Sequence, residues 1–513
     1  MDMDVAALLA ALPTRISHIP ARLAARDPQH VVLIEDARQL NAAELVEAID
    51  NTARQLMQAG VQGGDRVMIV SENCVAQVVL MFAVAKLDAW CLLTNARLSA
   101  SEVDAISAHA KPRVVAFTVD ASRDAASHAD RLNAAKAEAE AAANIGAWRF
   151  IVDETVSPEP VETDPARQCA ALIYTTGTTG APKGVMLSHR NVLFIAAMSS
   201  TLRRVTPEDV VYAVLPITHI YGLASVCLGS LYAGATLRLA PRFAPDAVRR
   251  ALAEENVSIF QGVPAMHAKL VEQVQTSGTP WRAPALRFAY SGGSPLDAAL
   301  KARVEGLYKV PLHNGYGMTE SSPTISQTML DAPRDDCSAG DPIPGIELRF
   351  VALDGVDVAP GEVGELWVRG PNVMLGYYRN EAQTRATVTE DGWLRTGDLA
   401  RQASDGALYI VGRSKELIIR SGFNVYPAEV ENVLNSHPDV LQSAVIGRPV
   451  EGNEEVIAFV ELLPSVHALP DDIVQWCADR LAPYKRPAEI RVLAALPAAS
   501  TGKVLKHKLR DEL

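Results

Sequence analysis

The chain has 513 residues, of which 49% are hydrophobic and 21% are charged, and its formal net charge is -12. This length exceeds what one ordinary hydrophobic core accommodates, so at least two domains are expected. The acidic balance, with acidic and basic residues interspersed, argues against nucleic acid or an anionic membrane surface as the main partner and favours small-molecule chemistry.

The cysteines and the chain ends bear on the cellular compartment. The six cysteines are scattered without a C-x-x-C pair, which predicts reduced thiols rather than a disulfide framework or a zinc site. The opening MDMDVAALLAALPTR carries acids where a signal peptide needs positive charge, and no apolar run is long enough to cross a bilayer. The final RDEL resembles a retention tail that has no meaning outside the secretory route. A cytoplasmic protein without an integral membrane segment is therefore expected.

Short β-branched runs alternate with segments of helical periodicity, which is typical of α/β layers with a parallel sheet. A helix is predicted over 244–256 and an exposed helical excursion over the alanine-rich run 121–143. The predicted strands are 66–70, 113–117, 236–240, 258–263 and 287–293.

Two later regions differ in character. Residues 347–369 contain ELRFV and GELWVRG between Gly and Pro turns, which predicts a small β subdomain. A compact α+β unit of about a hundred residues is predicted near the C-terminus. Its elements are a helix over 427–437, strands over 443–447 and 456–462, a helix over 471–482, and the segment 489–497.

The stretch YTTGTTGAPKG, residues 174–184, follows a buried strand and combines glycines, threonine hydroxyls and a lysine. These groups suit a triphosphate. A P-loop hydrolase needs a hydroxyl directly after the lysine, whereas Gly184 follows Lys183 here and the glycine spacing differs. On this segment alone, a hydroxyl-rich surface loop remains the alternative.

Further motifs supply groups that suit a nucleotide. In HNGYGMTE, Tyr316 can stack on a purine, Thr319 can bond a phosphate oxygen, and Glu320 can hold the Mg2+ that accompanies ATP. In RTGDLA, Asp398 can accept hydrogen bonds from both ribose hydroxyls. The structural alternatives are a turn after a buried strand for the first motif and an ordinary backbone-capping aspartate for the second.

Taken in order, the motifs closely resemble the adenylate-forming superfamily of acyl-CoA synthetases, luciferases and nonribosomal-peptide adenylation domains. The match runs from about residue 30 to the C-terminus. Motifs that occur together in this order identify the superfamily far more specifically than any one motif does. The motifs are YTTGTTGAPKG, LPITHIYG, YSGGSPL, NGYGMTE, GELWVRG, GWLRTGDL, GRSKELIIRSGFNVYPAEVE and STGKVLKHKL.

The resemblance implies an α/β fold with a large N-terminal domain of two α/β subdomains plus a small β-barrel, and a mobile α+β C-terminal lid domain. The implied boundaries are 1–412 for the N-terminal domain, 413–415 for the hinge and 416–513 for the lid. The implied reaction activates an organic carboxylic acid with ATP through an acyl-adenylate, releases pyrophosphate, and transfers the acyl group to coenzyme A. ATP, Mg2+ and coenzyme A are the implied cofactors, and a homodimer is compatible with the pattern.

Site residues follow from matching positions in the resemblance. The catalytic residues are His219, Thr319, Glu320 and Lys503, with Glu320 and Thr176 at the metal. Lys503 is placed between the substrate carboxylate and the α-phosphate, where an ammonium stabilises the charge that develops. The implied nucleotide-binding residues are Thr175, Thr176, Gly177, Thr178, Thr179, Gly180, Lys183, Gly292, Gly293, Ser294, Asn314, Gly315, Tyr316, Gly317, Thr319, Asp398, Ile410, Arg413 and Lys503.

The acid is implied to be apolar, either aromatic or medium-chain aliphatic. Amino-acid-activating relatives carry an aspartate where this chain has His219, and a histidine there resembles the CoA-ligase pattern; a structural histidine is the alternative. GELWVRG differs from the GEICIRG of plant 4-coumarate ligases, which argues against a hydroxycinnamate. The implied acyl pocket consists of His219, Tyr221, Met266, Ser291, Gly292, Gly317, Met318 and Thr324.

The thioester step is implied to use a hinge and a glycine loop of the lid, formed by Lys415, Ser421, Gly422 and Phe423. Coenzyme A is favoured as the acceptor because no carrier domain follows Leu513. Loading of a separate carrier-protein thiol is one alternative, and an inactive nucleotide-binding scaffold is another. The motifs specify neither the acid nor the oligomeric state nor the pathway.

Overall fold

A computed structural model describes residues 3–138, 144–176, 182–278, 280–352, 354–421, 423–450, 453–463, 466, 472–498 and 504–512. A π-helical segment, Tyr221–Leu228, runs directly into one of the α-helices. The helices are α1 (Val5–Ala11), α2 (His18–Arg26), α3 (Ala42–Gln58), α4 (Val75–Lys86), α5 (Ala100–Ala110), α6 (Arg123–Arg131), α7 (His189–Leu202), α8 (Gly229–Ala233), α9 (Pro245–Glu254), α10 (Pro264–Ser277), α11 (Ala298–Tyr308), α12 (Glu381–Thr387), α13 (Pro427–Asn435), α14 (Ile473–Arg480) and α15 (Lys506–Leu509).

The strands predicted from the β-branched runs are all present, within a few residues at their ends. The strands are β1 (Val31–Glu35), β2 (Arg38–Asn41), β3 (Arg66–Ser71), β4 (Trp90–Asn95), β5 (Val114–Phe117), β6 (Ala135–Lys136), β7 (Arg149–Val152), β8 (Cys169–Thr176), β9 (Pro182–Ser188), β10 (Val210–Ala213), β11 (Thr236–Leu239), β12 (Ile259–Gly262), β13 (Phe288–Ser291), β14 (Leu312–Gly317), β15 (Thr324–Gln327), β16 (Asp341–Pro342), β17 (Glu347–Val351), β18 (Gly364–Arg369), β19 (Gly376–Tyr377), β20 (Leu394–Gln402), β21 (Leu408–Arg413), β22 (Ile418–Arg420), β23 (Phe423–Val425), β24 (Val440–Val450), β25 (Asn453–Leu462) and β26 (Glu489–Val492).

Two large mixed sheets build the N-terminal part, which agrees with the expected pair of α/β subdomains. One sheet has the order β16-β15-β14-β13-β12-β10-β11-β1-β2, with parallel pairing from β14 through to β1. The other has the order β19-β9-β8-β4-β3-β5-β7-β6 and a parallel centre from β8 to β5. Helix α4 is buried at every position from Val75 to Ala85, as expected for a helix that is apolar on all sides.

Smaller sheets follow. Strands β17, β18, β20 and β21 form a four-stranded antiparallel sheet, where the β subdomain is predicted. In the C-terminal part, β24, β25 and β26 form a three-stranded sheet, and α13 and α14 accompany it, as predicted. Buried residues between Ile418 and Leu509 pack into hydrophobic clusters of their own. The architecture is therefore α/β, with a large N-terminal part and a small α+β C-terminal part.

The prediction of an exposed helix over 121–143 is wrong in extent and in exposure. Helix α6 ends at Arg131, and the chain continues into the short strand β6. Ala125 and Ala129 are fully buried and His128 nearly so. The alanines are small enough to let this helix pack against the sheet, so they contribute to the core rather than to a solvated excursion.

Asn73 connects the two large sheets ahead of the LPITHIYG segment. Its amide nitrogen donates to the carbonyl oxygens of Ala213 at 3.0 Å and Leu215 at 2.9 Å, and its amide oxygen accepts from the backbone N–H of Ile217 at 2.9 Å. Asn73 is 1% exposed, so these groups have no access to water. One asparagine therefore holds the backbone that leads to His219.

Asn73→Ala should destabilise the fold by about 2–5 kcal/mol, because three buried backbone groups lose their partner. The measurement is the free energy of unfolding in urea. The matched control is Asn51→Ala on the half-exposed surface of α3, which should change stability by less than about 0.5 kcal/mol. Equal changes for the two variants would contradict the role assigned to Asn73.

Candidate active site

The site is built at the carboxyl edge of β12, β13 and β14, which are adjacent and parallel. Gly262, Ser291 and Asn314 are neighbours across these strands. The chain after Ser291 turns at Gly293, whose φ of +80° favours glycine. In open α/β sheets, ligands bind beyond the carboxyl ends of parallel strands. Motifs that are distant in sequence therefore begin at one common edge.

On β14, successive side chains alternate between the two faces of the sheet. Tyr316 points to one face, and its hydroxyl donates to Asp398 Oδ2 at 2.5 Å. Asp398 Oδ1 lies 3.1 Å from Nε of Arg413, its cross-strand partner between β20 and β21. Residues from three separate motifs thus form one chain of polar contacts on a single side of β14.

Electrostatics support this chain of contacts. Asp398 is 6% exposed. Burial, with the Asp398 carboxylate beside the phenol, raises the pKa of Tyr316 well above its usual value, so the phenol stays protonated as a donor. Burial alone would lower the pKa of Arg413, but attraction to Asp398 and Glu416 outweighs it and the net shift is upward. The site therefore holds a fixed carboxylate between a neutral phenol and a permanent cation.

Glu320 lies in the 3-10 turn Thr319–Ser321, between β14 and β15. Its Oε1 accepts a hydrogen bond from the Tyr377 hydroxyl at 2.7 Å, and its backbone oxygen accepts from Met374 N at 2.9 Å. Lys183 Nζ lies 5.7 Å from the centroid of the Tyr377 ring. Tyr377 therefore links the candidate metal carboxylate to the lysine of the YTTGTTGAPKG stretch.

Tyr377 was missed by sequence reasoning. The signal available was the run GYYRN, which holds two tyrosines after a glycine, but nothing in it indicates contact with Glu320. The strand β19 that carries Tyr377 pairs with β9 through Val185. Burial, followed by the Glu320 carboxylate, raises the pKa of Tyr377, so its hydroxyl also remains a donor.

The residues at Glu320 fit a magnesium ion. Oε1 is used by Tyr377, while Oε2 has no hydrogen-bond partner within the described ranges. Thr319, adjacent to Glu320, is 7% exposed. Mg2+ is commonly held by one or two carboxylates and completes its coordination with water and phosphate oxygens. A single oriented carboxylate is therefore a sufficient protein contribution.

The YTTGTTGAPKG stretch, predicted to bind phosphate, is bounded by two antiparallel strands, β8 and β9, in which Thr175 pairs with Lys183. A P-loop runs from a strand into a helix, so the structure agrees with the sequence argument against a P-loop hydrolase. Of the predicted residues in this stretch, Gly177, Thr178, Thr179, Gly180 and the side chain of Thr176 lie outside the described residues.

Of the residues predicted for the acyl pocket, Tyr221, Gly292, Gly317 and Thr324 lie on the other face of β14, whereas Ser291 shares the Tyr316 face by strand register. Tyr221, 8% exposed, begins the π-helical segment, and its hydroxyl has no hydrogen-bond partner in the described part of the chain. A Cβ on Gly292 would lie 3.3 Å from the Tyr221 ring, so glycine admits this close approach. His219 Nδ1 accepts from Tyr221 N at 3.4 Å, and Thr324 Oγ1 lies 3.4 Å from Ser225 Oγ. Single-turn π segments are frequent at functional sites.

The other predicted residues take varied positions. The Asn314 amide donates to the backbone carbonyls of Cys337 and Ser338 at 3.2 and 3.0 Å, so its donors hold a loop. Ser291 is fully buried and its hydroxyl has no partner among the described residues. Partly buried positions are occupied by Met266, Ser294, Tyr316, Met318 and Ile410. Close backbone contacts surround Gly315 and Gly317.

The residues predicted for the thioester step contact the C-terminal part. Ser421 N donates to Asn453 Oδ1 at 2.6 Å. Phe423 is 55% exposed and its ring stacks on Tyr484 with centroids 4.6 Å apart. Lys415 lies in the 3-10 turn Ser414–Glu416. Gly422 and Lys503, also predicted, lie outside the described residues.

None of the helices in the described ranges combines the length and apolar composition that a bilayer crossing requires.

Comparison with known proteins bears directly on this site. Residues 21–378 match the AMP-binding enzyme family, and residues 429–503 match the AMP-binding enzyme C-terminal domain. The chain belongs to the AMP-binding enzymes. Its relatives place it in the acyl-CoA synthetase branch of the adenylate-forming superfamily.

Three relatives illustrate how far the similarity extends. This AMP-binding enzyme is 34% identical to an indoleacetate–CoA ligase of Aromatoleum aromaticum over 96% of each chain. It is 34% identical to a feruloyl-CoA synthase of an Amycolatopsis species, over 96% of this chain and 97% of that one. An O-succinylbenzoate coenzyme A synthetase from Bacillus subtilis, solved with ATP and a magnesium ion, superposes with a TM-score of 0.80 at 30% identity, over 96% and 99% of the two chains. The protein is an AMP-forming acid–thiol ligase that uses ATP and coenzyme A.

Tyr377→Phe should leave folding intact but slow pyrophosphate release about tenfold or more, because Glu320 loses the donor that orients it. The Mg2+ concentration for half-maximal rate should rise. Both quantities are measured by titrating Mg2+ at saturating ATP. The matched control is Tyr378→Phe, whose hydroxyl donates to Glu159 Oε1 instead, and which should keep the wild-type Mg2+ dependence. If the reaction rate depends on Mg2+ concentration in the same way in the two variants, the role assigned to Tyr377 would be refuted.

Proposed function

We propose that this AMP-binding enzyme converts an aromatic carboxylic acid to its coenzyme A thioester, with a medium-chain aliphatic acid as the second choice. The observation that carries the proposal is the meeting of two polar clusters at one sheet edge: Tyr316–Asp398–Arg413 and Glu320–Tyr377–Lys183. The aromatic class is supported by the relatives, which are named for indoleacetate and ferulate.

The nucleotide is assigned to the Tyr316 face of β14. Tyr316, with the glycine turn after β13, bounds the adenine, and Asp398 with Arg413 receives the ribose hydroxyls. A carboxylate already polarised by a guanidinium is a strong acceptor for both hydroxyls. Lys183 and the threonines of the phosphate-binding stretch neutralise the pyrophosphate that leaves. Asn314 and Ile410 complete the proposed contacts.

Mg2+ is assigned to Glu320, with Thr176 as the second proposed ligand. When bound, the ion supplies charge neutralisation for the triphosphate. The chain's own contribution is to hold the carboxylate in place through Tyr377. The O-succinylbenzoate coenzyme A synthetase solved with ATP and magnesium supports the assignment.

His219 and Lys503 are proposed to act where the carboxylate of the acid meets the α-phosphate of ATP. His219 lines the approach of the acid, directly before Tyr221. Lys503 stabilises the charge that builds when an anionic carboxylate attacks an anionic phosphate. The acid itself lies on the glycine face of β14, between Tyr221 and Thr324.

We further propose a division into residues 1–412, a hinge at 413–415 and a lid at 416–513. Separate hydrophobic clusters after Ile418 support a C-terminal part that moves as a unit. Rotation about Lys415 then moves Lys503 out of the active site and brings in the glycine loop that contains Ser421, Gly422 and Phe423. A cytoplasmic location, the absence of nucleic-acid partners and a homodimer stay predictions.

The decisive experiment incubates the enzyme with ATP, Mg2+, coenzyme A and a panel of benzoates, arylacetates, cinnamates and fatty acids. AMP, pyrophosphate and an acyl thioester should form together, fastest with an aromatic acid. Formation of ADP and phosphate would refute the proposed reaction. If an adenylate forms but coenzyme A is not consumed, the acceptor would instead be a carrier-protein thiol. If no adenylate forms in a single turnover, the protein would be an inactive nucleotide-binding scaffold.

Two lid variants should separate the half-reactions. Lys503→Ala should slow adenylate formation by roughly a hundredfold to a thousandfold, as for other charge-stabilising groups, yet still convert supplied acyl-AMP and coenzyme A to thioester. Lys415→Pro should do the reverse, because proline restricts the backbone rotation. Both half-reactions are measured in both variants, with Lys508→Ala as a control on the exposed side of α15. Equal losses in both steps would rule out alternating use of the lid.

A further inference from the structure

Arg203, the residue that follows α7, carries a buried positive charge beside the acid site. It is 1% exposed. Its Nη1 donates to Gln261 Oε1 at 2.8 Å and its Nη2 donates to Gln327 Oε1 at 3.2 Å. Both acceptors are neutral amides. A guanidinium taken out of water ordinarily requires a paired carboxylate, because desolvation of an ion costs several kcal/mol.

No aspartate or glutamate of the described ranges forms an ion pair with Arg203, and its buried Nε has no hydrogen-bond partner there. Arg287, which directly precedes β13, provides a contrast because it does have a carboxylate partner, Asp209, at 2.5 Å. Burial, with Lys301 and Arg203 nearby, lowers the pKa of His313 to about 4, so this histidine is neutral at pH 7. Among the described residues, the positive charge of Arg203 therefore has no counter-ion.

The sheet register puts Arg203 on the face that carries the acid. Gln261 is the cross-strand partner of Tyr290, and Gln327 is the partner of Gly315. These residues share the face opposite to Tyr316 because side chains alternate along a strand. The guanidinium carbon lies 4.5 Å from the Tyr290 ring centroid.

Tyr290 in turn contacts the proposed acyl pocket. Its ring centroid lies 6.1 Å from that of Tyr221, and a Cβ on Gly292 would touch both tyrosine rings, at 3.2 and 3.3 Å. Burial and then Tyr290 raise the pKa of Tyr221, while the charge of Arg203 acts in the opposite direction. The field of Arg203 thus reaches the Tyr221 hydroxyl, a buried donor for which the described ranges also offer no hydrogen-bond partner.

We propose that the acid carries a second carboxylate, distant from the one that is activated, and that Arg203 with Tyr221 binds it. This inference rests on the proposed function and narrows its substrate class to aromatic acids with a second acidic group. An anionic oxygen at this end of the site supplies the counter-ion that the described part of the chain does not provide, and it accepts a hydrogen bond from the Tyr221 hydroxyl. Arg203 is then a specificity-determining residue rather than only a packing element.

The test compares kcat/KM for pyrophosphate release across matched acids: benzoate and phenylacetate, each with its meta and para carboxy and hydroxy analogues. Wild-type enzyme should prefer at least one carboxy analogue over both its parent and its hydroxy counterpart. Arg203→Met should lower kcat/KM for that analogue by about a hundredfold or more, since a site built for a charged group discriminates strongly. Rates with the parent acids should change less than about threefold.

A second variant separates recognition from structure. Gln327→Glu places a carboxylate against Arg203 with little change in shape, so a purely structural arginine would gain an ion pair and lose no activity. If Arg203 binds substrate, Gln327→Glu should keep the wild-type Tm. It should lower kcat/KM for the carboxy analogue by about tenfold or more and leave kcat/KM for the parent acid unchanged. Arg204→Met is the matched control: Arg204 is exposed and pairs with Asp331 at the surface, and its variant should retain the wild-type ranking of acids.

The outcomes are distinct. An unchanged ratio of carboxy to parent acid in Arg203→Met and Gln327→Glu would overturn the inference. Equal kcat/KM values for the hydroxy and carboxy analogues would show that the site recognises a neutral hydrogen-bonding group, and they would also overturn the inference. Activation of parent acids alone would overturn it while leaving the proposed function intact. A wild-type enzyme that activates none of these acids but does activate a cinnamate or fatty acid would overturn the inference alone, and one that activates no acid of either panel would overturn both.

Discussion

The parallel pairing of β12, β13 and β14 is the constraint on which the site depends. Parallel strands end at one edge, so the turns that follow β13 and β14 reach the same place although they come from different parts of the chain. The alternation of side chains then assigns each face of β14 a different task. Tyr316 reaches Asp398 on one side, while Gly315 and Gly317 contribute no side chain to the other side and admit the Tyr290 hydroxyl there.

Buried hydrogen bonds make this arrangement specific. Asn73 holds the backbone before His219, and Tyr377 holds the carboxylate of Glu320. Neither residue carries chemistry of its own. In a protein interior without water, a donor or acceptor that lacks a hydrogen-bond partner raises the free energy of the folded state. Each such bond therefore restricts the backbone to one position. The orientation of the reactive groups is therefore set by residues that surround them.

The two faces of β14 also differ in electrostatics. On the proposed nucleotide side, the charges of Asp398 and Arg413 are paired. On the proposed acid side, the Arg203 guanidinium donates to two amides and lies 4.5 Å from the Tyr290 ring centroid, but no carboxylate of the described ranges pairs with it. The Tyr221 hydroxyl has no partner among the described residues either. A buried polar group without a matching partner is costly unless a ligand supplies one, and for this reason the chemistry of the acid is inferred from these two groups.

The fold class, the positions of the main strands and the reaction class could all be predicted from the sequence. Strand runs such as 66–70 and 236–240 are local patterns of β-branched residues, and ordered motifs such as YTTGTTGAPKG and STGKVLKHKL carry the family resemblance. The exposure of side chains was less predictable. The alanine-rich pattern predicts a solvent-exposed helix, yet Ala125 and Ala129 of α6 are buried, because burial depends on which residues pack against a side chain. Only the tertiary structure joined Tyr377 to Glu320, Asn73 to the backbone before His219, and Arg203 to the acid side of the sheet. These contacts link residues far apart in the chain, and no local pattern encodes a pairing that arises only when separate strands and helices meet.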